Sequence, residues 1–200
     1  MIYIKKALFV MLLAALLPAG AWSAELTAVE SAEQSVNQLL AKVRELRPLY
    51  DSDRDAYFAG IEQQIGTFVD FTEVARGVMA NFADQASEAQ IVALGERLRA
   101  TLTRFYGSTL LEYGDQELTY LPPREPPQDP ENATNVRMQI NNNGTRVELQ
   151  YTMFLTPQGE WKLKNLFLGG INLRRQYYTQ FSALMSRHGN DIDAVIENWQ

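Results

Sequence analysis

Few residues of this 200-residue chain are of the types that carry out chemistry. There is no cysteine, and the one histidine, His188, precedes a glycine that is expected to end a helix. A thiol nucleophile is therefore excluded, and a metal site built from cysteines or several histidines cannot be assembled. At a helix end, histidine most often serves as a C-terminal cap or a solvated residue. The sequence predicts no metal and no other cofactor.

Two pairs of aspartates lie close together in the sequence, Asp51 with Asp53 and Asp191 with Asp193. Each pair stands where a helix is expected to begin. Short acidic side chains at such positions commonly accept hydrogen bonds from the free backbone N–H groups. We interpret both pairs as helix caps.

An enzyme on a small α+β scaffold would need a buried acid or tyrosine in an otherwise apolar pocket. The inward faces of the expected strands offer Tyr120, Tyr151 and Asn165, but no acid paired with a base. A small enzyme on a cone-like α+β scaffold is kept as an alternative hypothesis.

The elements that would position these residues fall into a helical half and a strand half. Two capping boxes, Thr27–Glu30 and Ser87–Gln90, predict helix starts, and further helices are expected over residues 53–70 and from Phe71 onward. After Gly114 the apolar period changes to two. The pattern predicts at least four antiparallel strands between residues 117 and 168, and then a helix over residues 174–188.

This order of elements predicts an α+β fold in which helices cover one face of an antiparallel sheet. Residues 1–23 have the basic pair, short apolar run and small residues of a cleaved signal peptide, which predicts that the mature chain is exported. Residues 24–200 are expected to form a single domain. Without the leader, 16 basic residues face 24 acidic ones, a net charge of −8 that argues against nucleic acid as a partner.

Residues 161–181 resemble the C-terminal signature of the MlaC family of toluene-tolerance, or Mla, phospholipid-binding proteins. That signature is roughly W-K-V-x-D-h-x-h-E-G-V-S-L-h-x-x-Y-R-x-Q-F, where h is apolar. Three further stretches agree with family motifs in order and spacing: residues 71–79, 87–90 and 102–113. The chain departs from the signature at Asn165, Gly169, Asn172 and Tyr178.

The resemblance implies a cone-like fold whose helices and sheet enclose an apolar cavity for the acyl chains of a phospholipid. It also implies a periplasmic shuttle in an Mla-type ABC transport system, which maintains the lipid asymmetry of the outer membrane. The implied partners are an outer-membrane lipoprotein–porin complex and an inner-membrane ABC transporter complex. A binding module without a lipid remains a further alternative.

Ten side chains on the expected inner surfaces are predicted to contact the lipid. They are Ile65, Phe68, Val78, Leu98, Leu102 and Phe105 from the helices, and Val147, Leu149, Tyr151 and Met153 from one strand. Apolar periodicity alone would equally describe a solid core, because protein interiors are close-packed. Burying two long acyl chains gains on the order of 20 kcal/mol before costs, so the headgroup can stay in water and needs no site of its own.

Overall fold

The computed structural model of the protein describes residues 26–113, 117–124, 129, 132–142 and 145–200. The predicted signal peptide lies outside these residues. Within them, no helix is both long enough and apolar enough to cross a membrane.

The first half of the described chain is helical, as the sequence predicts. Both capping boxes are present: the backbone N–H of Glu30 donates to Thr27 Oγ1, and that of Gln90 donates to Ser87 Oγ. The helices are α1 (Ala28–Leu46), α2 (Leu49–Ser52), α3 (Arg54–Gly66), α4 (Phe71–Met79), α5 (Glu88–Gly107) and α6 (Leu110–Tyr113), with a 3₁₀ segment at Ala80–Gln85.

The helix expected over residues 53–70 ends early, at Gly66. The reason is that the chain beyond it joins the sheet. The backbone N–H of Leu163 donates to Phe68 O at 2.8 Å, and that of Asp70 donates to Leu163 O at 3.0 Å. These two bonds fasten the helical layer to the sheet at one end.

All pairings between the described strands are antiparallel, and the strands lie in chain order, which confirms the prediction of four or more antiparallel strands. The bridge from Val69 to Leu163 is the one parallel contact among the described residues. A two-residue fifth strand was not anticipated. It follows the Gly169-Gly170 corner, where φ values of +56° and +85° favour glycine. The strands are β1 (Glu117–Leu121), β2 (Ala133–Asn142), β3 (Thr145–Leu155), β4 (Trp161–Leu168) and β5 (Ile171–Asn172).

Two further helices, α7 (Leu173–Arg187) and α8 (Ile192–Glu197), complete the fold. Buried apolar residues form two clusters. The first joins α4, α5, α7 and α8, and the second joins α1 and α3 to the inner face of β2, β3 and β4. The helices therefore cover one face of the sheet in two adjoining groups.

The hydroxyl of Tyr57 forms a hydrogen bond with the C-terminal end of α5. Tyr57 is fully buried in α3 and donates to Gly107 O, at the end of α5, at 2.7 Å. Burial raises the pKa of Tyr57 to about 12, so the hydroxyl remains a donor at any physiological pH. We expect Tyr57→Phe to lower the free energy of unfolding by about 1–3 kcal/mol, because the carbonyl of Gly107 is left without a partner.

Urea unfolding checks this, with Tyr50→Phe as the matched control. Tyr50 packs edge-on against Tyr57, but within the described residues its hydroxyl makes no hydrogen bond. We expect that control to stay within about 0.5 kcal/mol of the wild type. Equal losses in the two variants would contradict a capping role for Tyr57.

Candidate functional site

A cavity of about 290 Å³ lies between the helices and the sheet, where the two apolar clusters adjoin. Close-packed interiors contain few voids larger than a water molecule, whereas ligand pockets measure roughly 300–1,000 Å³. Nineteen of its 25 lining residues are aliphatic or phenylalanine, so the interior suits apolar chains rather than polar solutes. The volume is far above that of a packing void and is close to the lower end of the range for ligand pockets.

Along β3, one end is packed against the helices and the other end faces the cavity. At Met153, next to the bonded pair Phe68 and Leu163, the sheet is fully buried against the helices. Toward the other end of β3, Val147 and Leu149 line open space, as does Ile140 opposite Val147 on β2. The helices and the sheet therefore stand apart near the end of β2 and the start of β3.

The cavity reaches the surface between the end of α5 and the start of α7. Of the lining residues, Thr109 and Arg174 are exposed to solvent. Thr109 lies between α5 and α6, and Arg174 is the second residue of α7. We call this opening the mouth of the cavity.

The structure brings seven of the ten predicted contact residues together on the wall of this cavity. They are Ile65, Phe68, Val78, Leu102, Val147, Leu149 and Tyr151.

The other three predicted residues lie elsewhere. Leu98 is fully buried in the cluster of α4, α5, α7 and α8, and Met153 lies in the cluster beyond a register shift at Thr152 and Met153, where the layers meet. Phe105 is 69% exposed on the outside of α5. Its helix turns Tyr106, rather than Phe105, toward the cavity. The apolar periodicity of these elements was therefore not enough to predict which inward residues reach the cavity, or which side of α5 faces it.

Sequence reasoning missed the contributions of α1, β4 and α7 to the wall. The signal was present, because β4 neighbours β3 in any meander and α1 carries an apolar stripe at helical spacing. The omitted wall residues include Val36, Leu39 and Leu40 from α1, Leu163, Leu166 and Leu168 from β4, and Leu173 and Tyr177 from α7.

Comparison with known proteins identifies the family of this chain. The family model described as MlaC protein matches residues 33–200. The chain belongs to the MlaC family.

Two relatives of this MlaC-family chain illustrate the likeness. The toluene tolerance protein Ttg2D of Pseudomonas putida is 30% identical over 167 residues, which span 82% of this chain and 76% of that protein. A solved structure of a phospholipid-binding protein from Ralstonia solanacearum, in complex with a phospholipid, superimposes with a TM-score of 0.75 at 24% identity. The match covers 86% of this chain and 94% of that one, and it shows a common fold.

Two tyrosines on the wall of this MlaC-family cavity, Tyr151 and Tyr177, are not poised to exchange protons. Burial raises the pKa of Tyr151 far above its usual range, with a smaller effect from Tyr120. The pKa of Tyr177 is raised to about 12, chiefly by burial and then by Tyr106 beside it. Tyr120 does not line the cavity; its pKa is also raised to about 12 by burial, and its buried hydroxyl finds no partner within the described residues. All stay neutral near pH 7.

Among the described residues, the acidic side chains and His188 do not line the cavity. As predicted, Asp53 caps α3 and Asp191 caps α8 through side-chain oxygens, and His188 is the C-terminal cap of α7. The other member of each pair, Asp51 or Asp193, lies in the first turn of a helix and is not its cap. None of the described lining residues is a carboxylate or a histidine. Within the described ranges, no group of three or more histidine or acidic side chains is placed to hold a metal ion.

Proposed function

We propose that this protein is a periplasmic carrier that binds phospholipid by enclosing its acyl chains in the cavity between helices and sheet. The observation that carries the proposal is the cavity itself, a ligand-sized apolar space in a position where a protein of this size would otherwise have a solid core. Membership of the MlaC family and the phospholipid in the Ralstonia solanacearum relative, which shares the fold, both support it.

The carrier acts as the shuttle component of an Mla-type ABC transport system. Residues 1–23 direct export, and residues 24–200 carry lipid between an outer-membrane lipoprotein–porin complex and an inner-membrane ABC transporter complex. Each buried CH₂ group contributes roughly 0.8 kcal/mol, so spontaneous escape of two chains into water is very slow. A receptor that accepts the chains as they leave is therefore part of the proposal.

A carrier accounts for the cavity better than an enzyme does. A general base has to lie within hydrogen-bond reach of the proton that it abstracts. Tyr151 and Asn165 do line the cavity, but the acidic partner that an enzyme would require is not among its described lining residues. Tyr120 is not on the wall at all.

Native mass spectrometry of the protein purified without detergent from the periplasm tests the proposal. The expected spectrum shows the mass of a chain beginning at Ala24 or Glu25, together with adducts that dissociate as intact phospholipids. Solvent extraction and lipid analysis identify them. A chain that emerges without lipid and takes up none from phospholipid vesicles would be a lipid-free binding module, and the carrier proposal would be wrong.

A further inference from the structure

One charged side chain lies on the wall of the cavity. Arg174 is the only charged residue among the described lining residues, and it is exposed at the mouth. The aliphatic part of the Arg174 side chain packs against Gly77 of α4. The approach is close enough that a Cβ added to Gly77 would lie 2.6 Å from Arg174 Cδ. Within the described residues, the guanidinium makes no ion pair and no hydrogen bond. The guanidinium N–H donors therefore lie at the mouth of the cavity without a partner among the described residues.

A second polar side chain lies beside it. Asn165 is only 5% exposed and lines the same cavity. Its Oδ1 accepts the backbone N–H of Arg174 at 3.3 Å, which fixes the orientation of the amide, since a backbone N–H can only donate. The amide nitrogen of Asn165 is thereby left with two N–H donors, for which the described residues provide no acceptor.

Among the described residues, no acidic side chain pairs with this charge. Asn165 is neutral, and the first turn of α7 contains no acidic residue but two arginines, Arg174 and Arg175. Cations are unfavourable at a helix N-terminus, where the aligned peptide dipoles already place partial positive charge. The helix alone does not account for this arrangement, whereas an anion bound at the mouth would.

We propose that Arg174 and Asn165 bind the phosphate group of a lipid whose acyl chains occupy the cavity, so that the carrier selects amphiphiles that bear a phosphate. The inference rests on the proposed function, because the chains must be inside for the phosphate to sit at the mouth. A guanidinium binds two phosphate oxygens through parallel N–H bonds, and the amide of Asn165 supplies a further donor. The headgroup thus has a site, although acyl-chain burial alone does not require one.

The test compares two lipids that carry the same acyl chains, phosphatidylglycerol and diacylglycerol, which lacks the phosphate. Uptake of each from neutral vesicles by delipidated protein gives two apparent affinities. Arg174→Gln is expected to weaken phosphatidylglycerol binding about tenfold, the lower range for a charge-assisted hydrogen bond, and to leave diacylglycerol binding unchanged. A variant with the wild-type ratio of affinities would overturn the inference.

Arg175→Gln is the matched control, because it removes the same charge from the same helical turn without altering the cavity wall. We expect wild-type affinities for both lipids. An equal loss in Arg175→Gln would mean that general attraction between protein and anionic lipid, rather than a site at Arg174, sets the preference.

Asn165→Asp is a second variant of nearly unchanged shape. An aspartate oxygen can still accept the N–H of Arg174, but it neutralises the guanidinium and removes the amide donors. Phosphatidylglycerol binding is expected to fall at least as much as in Arg174→Gln. Unchanged binding in this variant would exclude Asn165 from the site.

Inorganic phosphate separates the two possible sources of the anion. Calorimetry with inorganic phosphate alone is expected to show no binding at millimolar concentration, because the mouth is exposed to water. Tight binding that Arg174→Gln abolishes would identify a free-phosphate site and overturn the lipid assignment. If the wild type binds neither phosphatidylglycerol nor diacylglycerol, the proposed function itself fails.

Discussion

Leu149→Trp is expected to leave the fold intact and to remove most of the bound phospholipid. Leu149 projects from β3 into the cavity, so an indole there fills space that the acyl chains would occupy. Added side-chain volume is costly where the surroundings are close-packed, so the loss of stability here should be smaller than the about 1–3 kcal/mol of an overpacked core. Thermal unfolding should be compared with that of delipidated wild-type protein, because bound lipid stabilises the wild type by mass action. Lipid extraction after purification measures the loss of ligand.

Met153→Trp is the matched control, four residues along the same strand and on the same face. Met153 is fully buried where helices and sheet meet, and it does not line the cavity. Overpacking a close-packed site costs about 1–3 kcal/mol, so this variant should be the less stable of the two. If both variants are destabilised alike, the space beside Leu149 is not open in solution.

The fold could be predicted from the sequence because its cues are local. Capping boxes at Thr27 and Ser87 set helix starts through hydrogen bonds within three residues, and the change of period near Gly114 separates helices from strands. Alternation on β3 also placed Leu149 and Tyr151 on the inner face. Such patterns depend only on geometry within one element, which the sequence specifies directly.

The cavity could not be predicted in this way, because it depends on the distance between layers. Leu149 and Met153 are both apolar, inward-facing residues of one strand, yet only Leu149 lines the cavity. The difference comes from the main-chain bonds between Phe68 and Leu163, which bring the layers together near Met153. The spacing of apolar residues does not reveal these main-chain bonds. The expectation of an open cavity came instead from the resemblance to the family.

The sequence also did not determine which face of α5 points toward the cavity. On α5, Leu102 lines the cavity, and both Phe105 and Tyr106 stand at spacings that an inward stripe allows. The structure places Tyr106 on the wall and leaves Phe105 exposed. The rotation of α5 about its axis depends on its packing against α4, and Gly95 lies in that contact, next to Phe71.

Gly95→Ala is expected to destabilise the protein although alanine is the better helix former. Gly95 lies buried within α5, and an added Cβ would stand 2.8 Å from the backbone carbonyl oxygen of Phe71 at the start of α4. A backbone atom cannot turn aside as a side chain can, so α4 and α5 must move apart. We expect a loss of about 1–3 kcal/mol in urea unfolding, against an intrinsic gain of up to about 1 kcal/mol for alanine in a helix.

Gly66→Ala isolates that intrinsic gain. Gly66 is the last residue of α3, is exposed, and meets only the side chain of Arg99, with a nearest approach of 3.9 Å from the added Cβ. The same substitution should therefore be neutral or stabilising by up to about 1 kcal/mol at Gly66 and destabilising at Gly95. A gain at both positions would show that α4 and α5 are not in contact at Gly95. Because Phe71, Val74 and Val78 of α4 all line the cavity, the wall would then have to be placed differently.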